Sequence, residues 1–323
     1  MCTAITYQTK DHYFGRTLDL EYNYEEQVTV TPRNYEFRFR KKDSLKQHYA
    51  IIGMATVVNG YPLYFEAANE EGLAMAGLNF PGNACYLPEA EDRDNIAPFE
   101  FIPWILAQCR NLAEARKLLE KINLCEEHFS KELPLSPLHW MIADEQGAIT
   151  VEPLQDGLHI HENPVGVLTN NPTFDYHMMH LNDYMNLTAD TPKNHFGNVE
   201  LTTYSRGMGG IGLPGDLSSA SRFVRAAFVK LNSLSGEDEN GSVSQFFHIL
   251  GAVEQQRGCV RMPDGSYELT VYSSCINLDR GIYYYSTYEN RDICAVDMHR
   301  CDLEGDGLYI YPLEKTLQIV RQN

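Results

Sequence analysis

Residues 2–8, CTAITYQ, set apolar and polar side chains in near alternation before the run stops at Lys10-Asp11. A period of two marks a half-buried strand, and the Lys-Asp pair reads as a turn. Tyr13-Phe14-Gly15 opens a second strand, so the chain is expected to begin with a hairpin. Segments 50–58, 62–66 and 73–77 are further short strands, the first two joined through Asn59-Gly60. That dipeptide supplies the positive φ of a tight hairpin turn. The period then lengthens. Phe99, Ile102, Ile105 and Leu106 form a helical stripe, and 112–122 forms another behind Asn111 as N-cap.

Over 139–169 the pattern returns to strand in HWMIAD, AITVEP, GLHIHE and VGVLTN. Ser218 or Ser219 opens a helix through Leu231, with Phe223, Ala227 and Val229 among its apolar positions. Ser242 or Ser244 opens another through Gln256, and the rest is strand again: YELTVYSS, GIYYYST, DICAVDM and GLYIYPL. This order of strands, helices, strands, helices and strands is not βαβ alternation. It predicts an α+β protein with antiparallel sheets and helices packed outside them. No repeat or linker interrupts it, so one domain over 2–323 is expected. Segment 181–206, with Asn182, Asp190, Pro192 and Asn198, reads as a loop-rich excursion.

Composition narrows the partners. Of 323 residues 43% are hydrophobic and 22% charged, ordinary values for a chain with a sizeable core. The formal charge is −18, from 44 acids against 26 bases. Nucleic acid and anionic membrane surfaces are therefore not expected as partners, since both need clustered Lys and Arg. An anionic small molecule remains allowed, because a few local arginines override a global field. The start has neither a charged n-region nor an apolar h-region, and no apolar run is long enough to span a bilayer, so a cytoplasmic location is expected. The eight cysteines include no Cys-x-x-Cys pair and read as free thiols, mostly buried.

Cys2 stands apart. On position alone, a cysteine in a frayed terminus is the simpler reading. Two features oppose it: Cys is small enough for ordinary removal of Met1, and the chain enters a strand at once. A thiol needs a base to become an attacking thiolate. A free α-amine titrates at about 7.7–8.0 and would stand on the same residue. Downstream lies Gly15-Arg16-Thr17-Leu18-Asp19, which a hairpin returns beside Cys2. Arg16 would then favour the thiolate and Asp19 would orient the amine. A surface ion pair near a turn explains those two residues equally well.

Met-Cys-Thr followed by Gly-Arg-x-x-Asp resembles the choloylglycine hydrolase family, which includes bile salt hydrolases and penicillin V acylases. The likeness recurs along the chain: Ala76-Gly77-Leu78-Asn79-Phe80, Leu168-Thr169-Asn170-Asn171-Pro172-Thr173-Phe174, Gly212-Leu213-Pro214-Gly215-Asp216 with Ala220-Ser221-Arg222-Phe223, and the Tyr283 and Tyr288 segments. The resemblance implies a four-layer αββα N-terminal-nucleophile hydrolase fold. It implies Cys2 as nucleophile and, through its amine, as base. Arg16 and Asp19 would tune and orient it, Asn79 and Asn170 would supply an oxyanion hole, and Arg222 would complete the charged site. Asn79 resembles the bile salt hydrolases, where penicillin V acylases tend to carry Tyr. The implied substrates are conjugated bile salts, with a homotetramer as the implied assembly and no cofactor or metal.

Arg206, within Ser205-Arg206-Gly207, resembles the taurine-preferring type, and its donors suit a sulfonate. A solvated loop arginine is as good a reading. Phe14, Phe65, Phe80, Leu135 and Leu138 are candidates for an apolar substrate pocket, core packing being the alternative for each; Phe65 and Leu138 are carried forward with Arg206 as substrate-binding candidates.

Three other signals are set aside. Gly207-x-Gly209-x-x-Gly212 fits a dinucleotide fingerprint but runs into Pro214-Gly215 instead of a helix. His177 and His180 lack a partner set with zinc spacing, and His159 and His161 alternate on a strand and are expected to face solvent. Tyr283, Tyr284 and Tyr285 read as strand packing. The alternatives to bile salt hydrolysis are a penicillin V or N-acyl homoserine lactone acylase on the same fold, and a ligand-binding protein without catalysis.

Overall fold

The computed structural model describes residues 1–236 and 238–323. Alternation along the chain becomes two antiparallel sheets. In spatial order the first runs Val167–Leu168, Cys2–Gln8, His12–Leu20, Tyr267–Asn277, Ile282–Thr287 and Cys294–Asp297, with Val260–Arg261 paired to Tyr267–Asn277. The second runs Gly157–Glu162, Gly147–Leu154, Leu138–Asp144, Ala74–Asn79, Tyr61–Asn69, Ile51–Val58, Gln27–Thr31 and Tyr309–Pro312.

Both faces of each sheet are covered. Helices α1 (Phe101–Gln108) and α2 (Leu112–Leu119) pack on the second sheet. There Trp140, Ile142, Met75 and Ile149 meet Phe101, Ile105 and Leu119 in one buried cluster. After the short α3 (Phe174–Leu181), helices α4 (Ser219–Asn232) and α5 (Glu239–Gly251) pack on the first sheet. Arg16 reaches from the first sheet to carbonyls of the second, while Arg222 of α4 reaches Thr3 from the other side. The order helix, sheet, sheet, helix follows from those contacts, and it is the αββα layering expected.

Local boundaries depart from the sequence reading where caps and short strands decide. Helix α5 begins at Glu239, before either serine, because the Asp238 carboxylate accepts from Gly241 N, and it stops at Gly251, well before Gln256. Helix α2 stops at Leu119, since Ile122–Leu124 is a strand that pairs in parallel with Asp94–Ile96. Asn111 and Ser218 do cap α2 and α4, each accepting a backbone N–H. Segment 181–206 carries no strand or α-helix past the end of α3 at Leu181, only the single 3-10 turn Asn182–Tyr184.

The first sheet closes tightly at Gly15. A Cβ there would lie 2.0 Å from Ser274 O on the neighbouring strand. Gly215 has nothing within 4 Å of the same position. In urea titrations, Gly15→Ala is expected to lose about 1–3 kcal/mol or more of unfolding free energy. Gly215→Ala should stay within about 0.5 kcal/mol of the parent.

Candidate active site

Cys2 is the first residue of its strand, 2% exposed, and stands across the hairpin from Leu18. Two steps along, Arg16 stands opposite Ala4. Its side chain crosses to the second sheet, where Nη1 donates to Gly77 O at 2.5 Å and Phe65 O at 3.4 Å. Its Nε lies 3.8 Å from Glu66 Oε2. Burial alone would depress this guanidinium, but the Cys2, Tyr272, Glu66 and Asp19 groups around it outweigh burial and hold it above its ordinary value. Glu66 is wholly buried and accepts from Tyr272 Oη at 2.8 Å and Tyr283 Oη at 2.5 Å. Burial pushes its carboxyl up, and Arg16 works against that. Arg16 Nη2 is buried without a partner among the described residues.

On the other side of the Cys2 strand, Arg222 is also wholly buried. Nη1 donates to Cys2 O at 2.5 Å and to Thr3 Oγ1 at 2.7 Å, and Nη2 donates to Asn170 Oδ1 at 2.8 Å. Nε donates to Leu217 O at 3.1 Å. Burial pulls this guanidinium down, since it has no carboxylate in contact among the described residues. Asn170 is held at every polar atom. Oδ1 also accepts the Cys2 N–H at 2.7 Å, Nδ2 donates to Asn79 O at 2.7 Å, N donates to Ser219 Oγ at 2.8 Å, and O accepts from His177 Nε2 at 2.8 Å. One N–H of the Asn170 amide is left over after its bond to Asn79.

Asp19 is buried beside this network, but its carboxylate is taken by hydroxyls. Oδ1 accepts from Thr270 Oγ1 at 2.6 Å and Oδ2 from Thr17 Oγ1 at 3.2 Å. With Met1 in place, the terminal ammonium donates to Asp19 O at 2.7 Å and to Glu268 Oε1 at 2.6 Å. Burial raises the Glu268 carboxyl, and that ammonium opposes the rise.

Beside Cys2 opens a cavity of about 700 Å³. Cys2, Arg16 and Asn79 line it together with Phe65, Leu135, Leu138, Tyr24 and Phe129. Phe14 and Phe80, by contrast, are wholly buried and absent from that lining. Arg206 lies exposed on its loop and is not among the lining residues. Hydrogen bonds thus join Cys2, Asn79, Asn170 and Arg222 in one network, Arg16 shares the cavity lining with Cys2 and Asn79, and Asp19 is buried beside them.

Several functional groups escaped the sequence reading. Glu66 looked like one more strand residue, and Tyr283 like packing alone, yet together with Tyr272 they hold the buried counter-charge of Arg16. Glu268 also went unnoticed. An acid at a nominally buried strand position was the available signal in both cases. His177 sits under Asn170, neutral because burial takes it down to about 4. Among the described residues no His, Cys, Asp and Glu group is arranged to hold a metal. The glycine-rich 207–212 segment forms one 3-10 turn, Met208–Gly210, in a loop.

The profile of the choloylglycine hydrolase family, linear amide C–N hydrolases, matches residues 2–311. A bile salt hydrolase/transferase from Lactiplantibacillus plantarum is 55% identical, over 100% of both chains. The crystal structure of a mutant conjugated bile acid hydrolase from Clostridium perfringens superposes with a TM-score of 0.92 at 39% identity, covering 100% of both chains. A penicillin V acylase structure from Agrobacterium tumefaciens, at 21% identity and a TM-score of 0.74 over 96% of this chain and 90% of its own, shares the fold. With this agreement in sequence over nearly its whole length and in the layering of its sheets, the chain belongs to the choloylglycine hydrolase family and is a linear amide C–N hydrolase.

Proposed function

We propose that this enzyme hydrolyses the amide bond of glycine- and taurine-conjugated bile acids, with Cys2 as an N-terminal nucleophile freed by removal of Met1. The observation that carries the reading is the meeting of a buried cysteine, an arginine with a spare N–H, and an apolar cavity of about 700 Å³ at one point. Such a volume suits a steroid-sized ligand. Phe65, Leu135 and Leu138 offer it an apolar wall, and Arg16 offers a positive charge. The names of the relatives, which refer to bile salts, support the same substrate.

Chemistry proceeds by acyl transfer. The Cys2 thiol gives its proton to its own α-amine, directly or through water, and the sulfur attacks the amide carbonyl carbon. The carbonyl π-electrons move onto oxygen. The free N–H of Asn170 and a donor of Asn79 receive that oxyanion. As the C–N bond breaks, the ammonium returns its proton to the leaving nitrogen, which departs as glycine or taurine. Water then attacks the thioester, gives a proton to the amine, and releases the bile acid and the thiol. Arg222 holds the Cys2 carbonyl and Asn170 in place through these steps. Asp19 orients the new α-amine from behind.

Taurine preference is assigned to Arg206, whose guanidinium is free to meet a sulfonate from the exposed loop. Homo-oligomerisation, as a tetramer, is supported by the apolar side chains this region exposes, including Met185 at 81% and Tyr204 at 84%. No helix among the described residues is long and apolar enough to cross a membrane.

Four outcomes check these statements. Wild type should turn over taurocholate and glycocholate well above penicillin V, with intact mass showing loss of Met1. Cys2→Ala should abolish turnover, and undiminished activity or a retained Met1 in active enzyme would sink the mechanism. Arg206→Ala should reduce taurine-conjugate turnover more than glycine-conjugate turnover; an equal loss ends that assignment. Light scattering should report four copies, and Met185→Asp with Tyr204→Asp should shift the mass towards smaller species.

A further inference from the structure

We infer that His139 is a positioning residue that holds the two oxyanion-donor segments, around Asn79 and Asn170, at a common distance from Cys2. The inference rests on the reading of those asparagines as the donors. His139 and Glu152 lie on neighbouring strands, one step beyond the Trp140–Val151 pair, and both are wholly buried. Nothing in the acyl-transfer chemistry needs either of them. A buried imidazole and a buried carboxylate are costly to retain without a role.

The contacts of His139 go to both donor segments. Its Nε2 lies 2.9 Å from Thr169 O, the carbonyl directly before Asn170. Its ring stacks on Phe80, directly after Asn79, with centroids 4.2 Å apart and planes 7° from parallel. One rigid ring thus spans the gap between two loops that approach from different sheets. The loops are also joined directly by the bonds from Asn170 Nδ2 to Asn79 O and from Asn171 Nδ2 to Pro81 O, each 2.7 Å. A second buried imidazole holds the next carbonyl along the chain. His177 donates to Asn170 O at 2.8 Å and stacks on Phe223, the neighbour of Arg222, at 4.8 Å.

Hydrogen-bond logic fixes the proton on His139. A carbonyl only accepts, so Nε2 must carry hydrogen. The other nitrogen, Nδ1, faces Glu152 Oε1 at 3.2 Å, and that oxygen also accepts Phe174 N at 3.0 Å. Two lone pairs would repel at that distance, so a proton lies between Nδ1 and the carboxyl. Glu152 Oε2 lies 3.5 Å from His161 Nε2, and His161 Nδ1 lies 3.2 Å from Asp175, so the His139–Glu152 pair is backed towards the surface. With a proton shared between Nδ1 and Glu152, the imidazole keeps the Nε2 hydrogen that holds Thr169 O.

The consequence for rate follows from tolerance. Oxyanion donors act over a narrow distance range, and their complete loss costs about 100- to 1000-fold. Loosening one loop should cost less than that and should leave substrate binding alone.

Three substitutions separate the contacts. His139→Gln keeps a donor at the Nε2 position, His139→Asn keeps one at the Nδ1 position only, and His139→Leu keeps neither. Single-turnover taurine release from taurocholate should fall about 30-fold or more in the Asn and Leu variants but less than about fivefold in the Gln variant. KM should change less than about twofold throughout, with thermal midpoints measured alongside. Equal losses in Asn and Gln, or no loss in any variant, overturn the inference. Acid-quenched wild type is examined by mass spectrometry in the same series. No acyl adduct on Cys2 would mean that the underlying mechanism fails; a normal adduct with normal variant rates would mean that the role of His139 alone fails. Should the variants not fold, nitrogen NMR of histidine-labelled wild type decides. Hydrogen on Nε2 of His139 supports the role, and a neutral Nδ1–H tautomer overturns it.

Discussion

Two guanidiniums buried on opposite faces of one strand organise the polar interior around Cys2. Taking a charge out of water costs several kcal/mol unless its donors are met. Arg16 solves this with a carboxylate, Glu66, and with the carbonyls of Gly77 and Phe65. Arg222 has no carboxylate in contact among the described residues, and depends on the oxygens of Cys2, Thr3, Asn170 and Leu217. Moving any of these acceptors would strand a buried N–H, so the cost of burial acts as a positional restraint. The strand that carries Cys2 is therefore held from both sides by interactions with its main chain and its neighbours, leaving the thiol itself free of them.

This arrangement also reconciles an acidic chain with an anionic substrate. A formal charge of −18 repels anions at long range. Inside the cavity the local field is different, because Arg16 presents an N–H with no partner among the described residues, within a lining that is otherwise largely apolar. Low-dielectric walls strengthen that single charge relative to the screened surface acids. The Glu66 counter-charge is spread over two tyrosine hydroxyls, which reduces how far it cancels the arginine.

Much of the scaffold was legible in the sequence because strands buried on one face announce themselves by alternation. The hairpin of residues 2–20, the Asn59-Gly60 turn and the Asn111 and Ser218 caps all appear where pattern and turn chemistry place them. Short or weakly periodic elements did not. The Gln27–Thr31 strand alternates, as QVTVT, over only five residues, and the helix Phe174–Leu181 mixes His and Met around its face. At the site, the family resemblance picks out Cys2, Arg16, Asn79, Asn170 and Arg222, which lie close together in the structure. Their supports were not legible. Glu66, Glu268 and His139 act across separations that no local pattern encodes, and nothing local separates the wholly buried Phe14 and Phe80 from Phe65, which meets the cavity.

Met1 carries a final consequence. It is no loose end: Asp19 N donates to Met1 O at 2.9 Å, and the terminal ammonium is tied to Asp19 O and Glu268. A peptidase must draw the terminal residue into its own cleft, so it would have to unzip this end of the sheet and strip a half-buried ion pair first. Folding and trimming therefore compete for the same residue, and the outcome depends on timing. A chain that folds before it is trimmed shields its own terminus. If Met1 is removed as proposed, that step is thus best placed on the emerging chain, while the strand Tyr267–Asn277 that carries Glu268, more than two hundred residues downstream, has yet to be made.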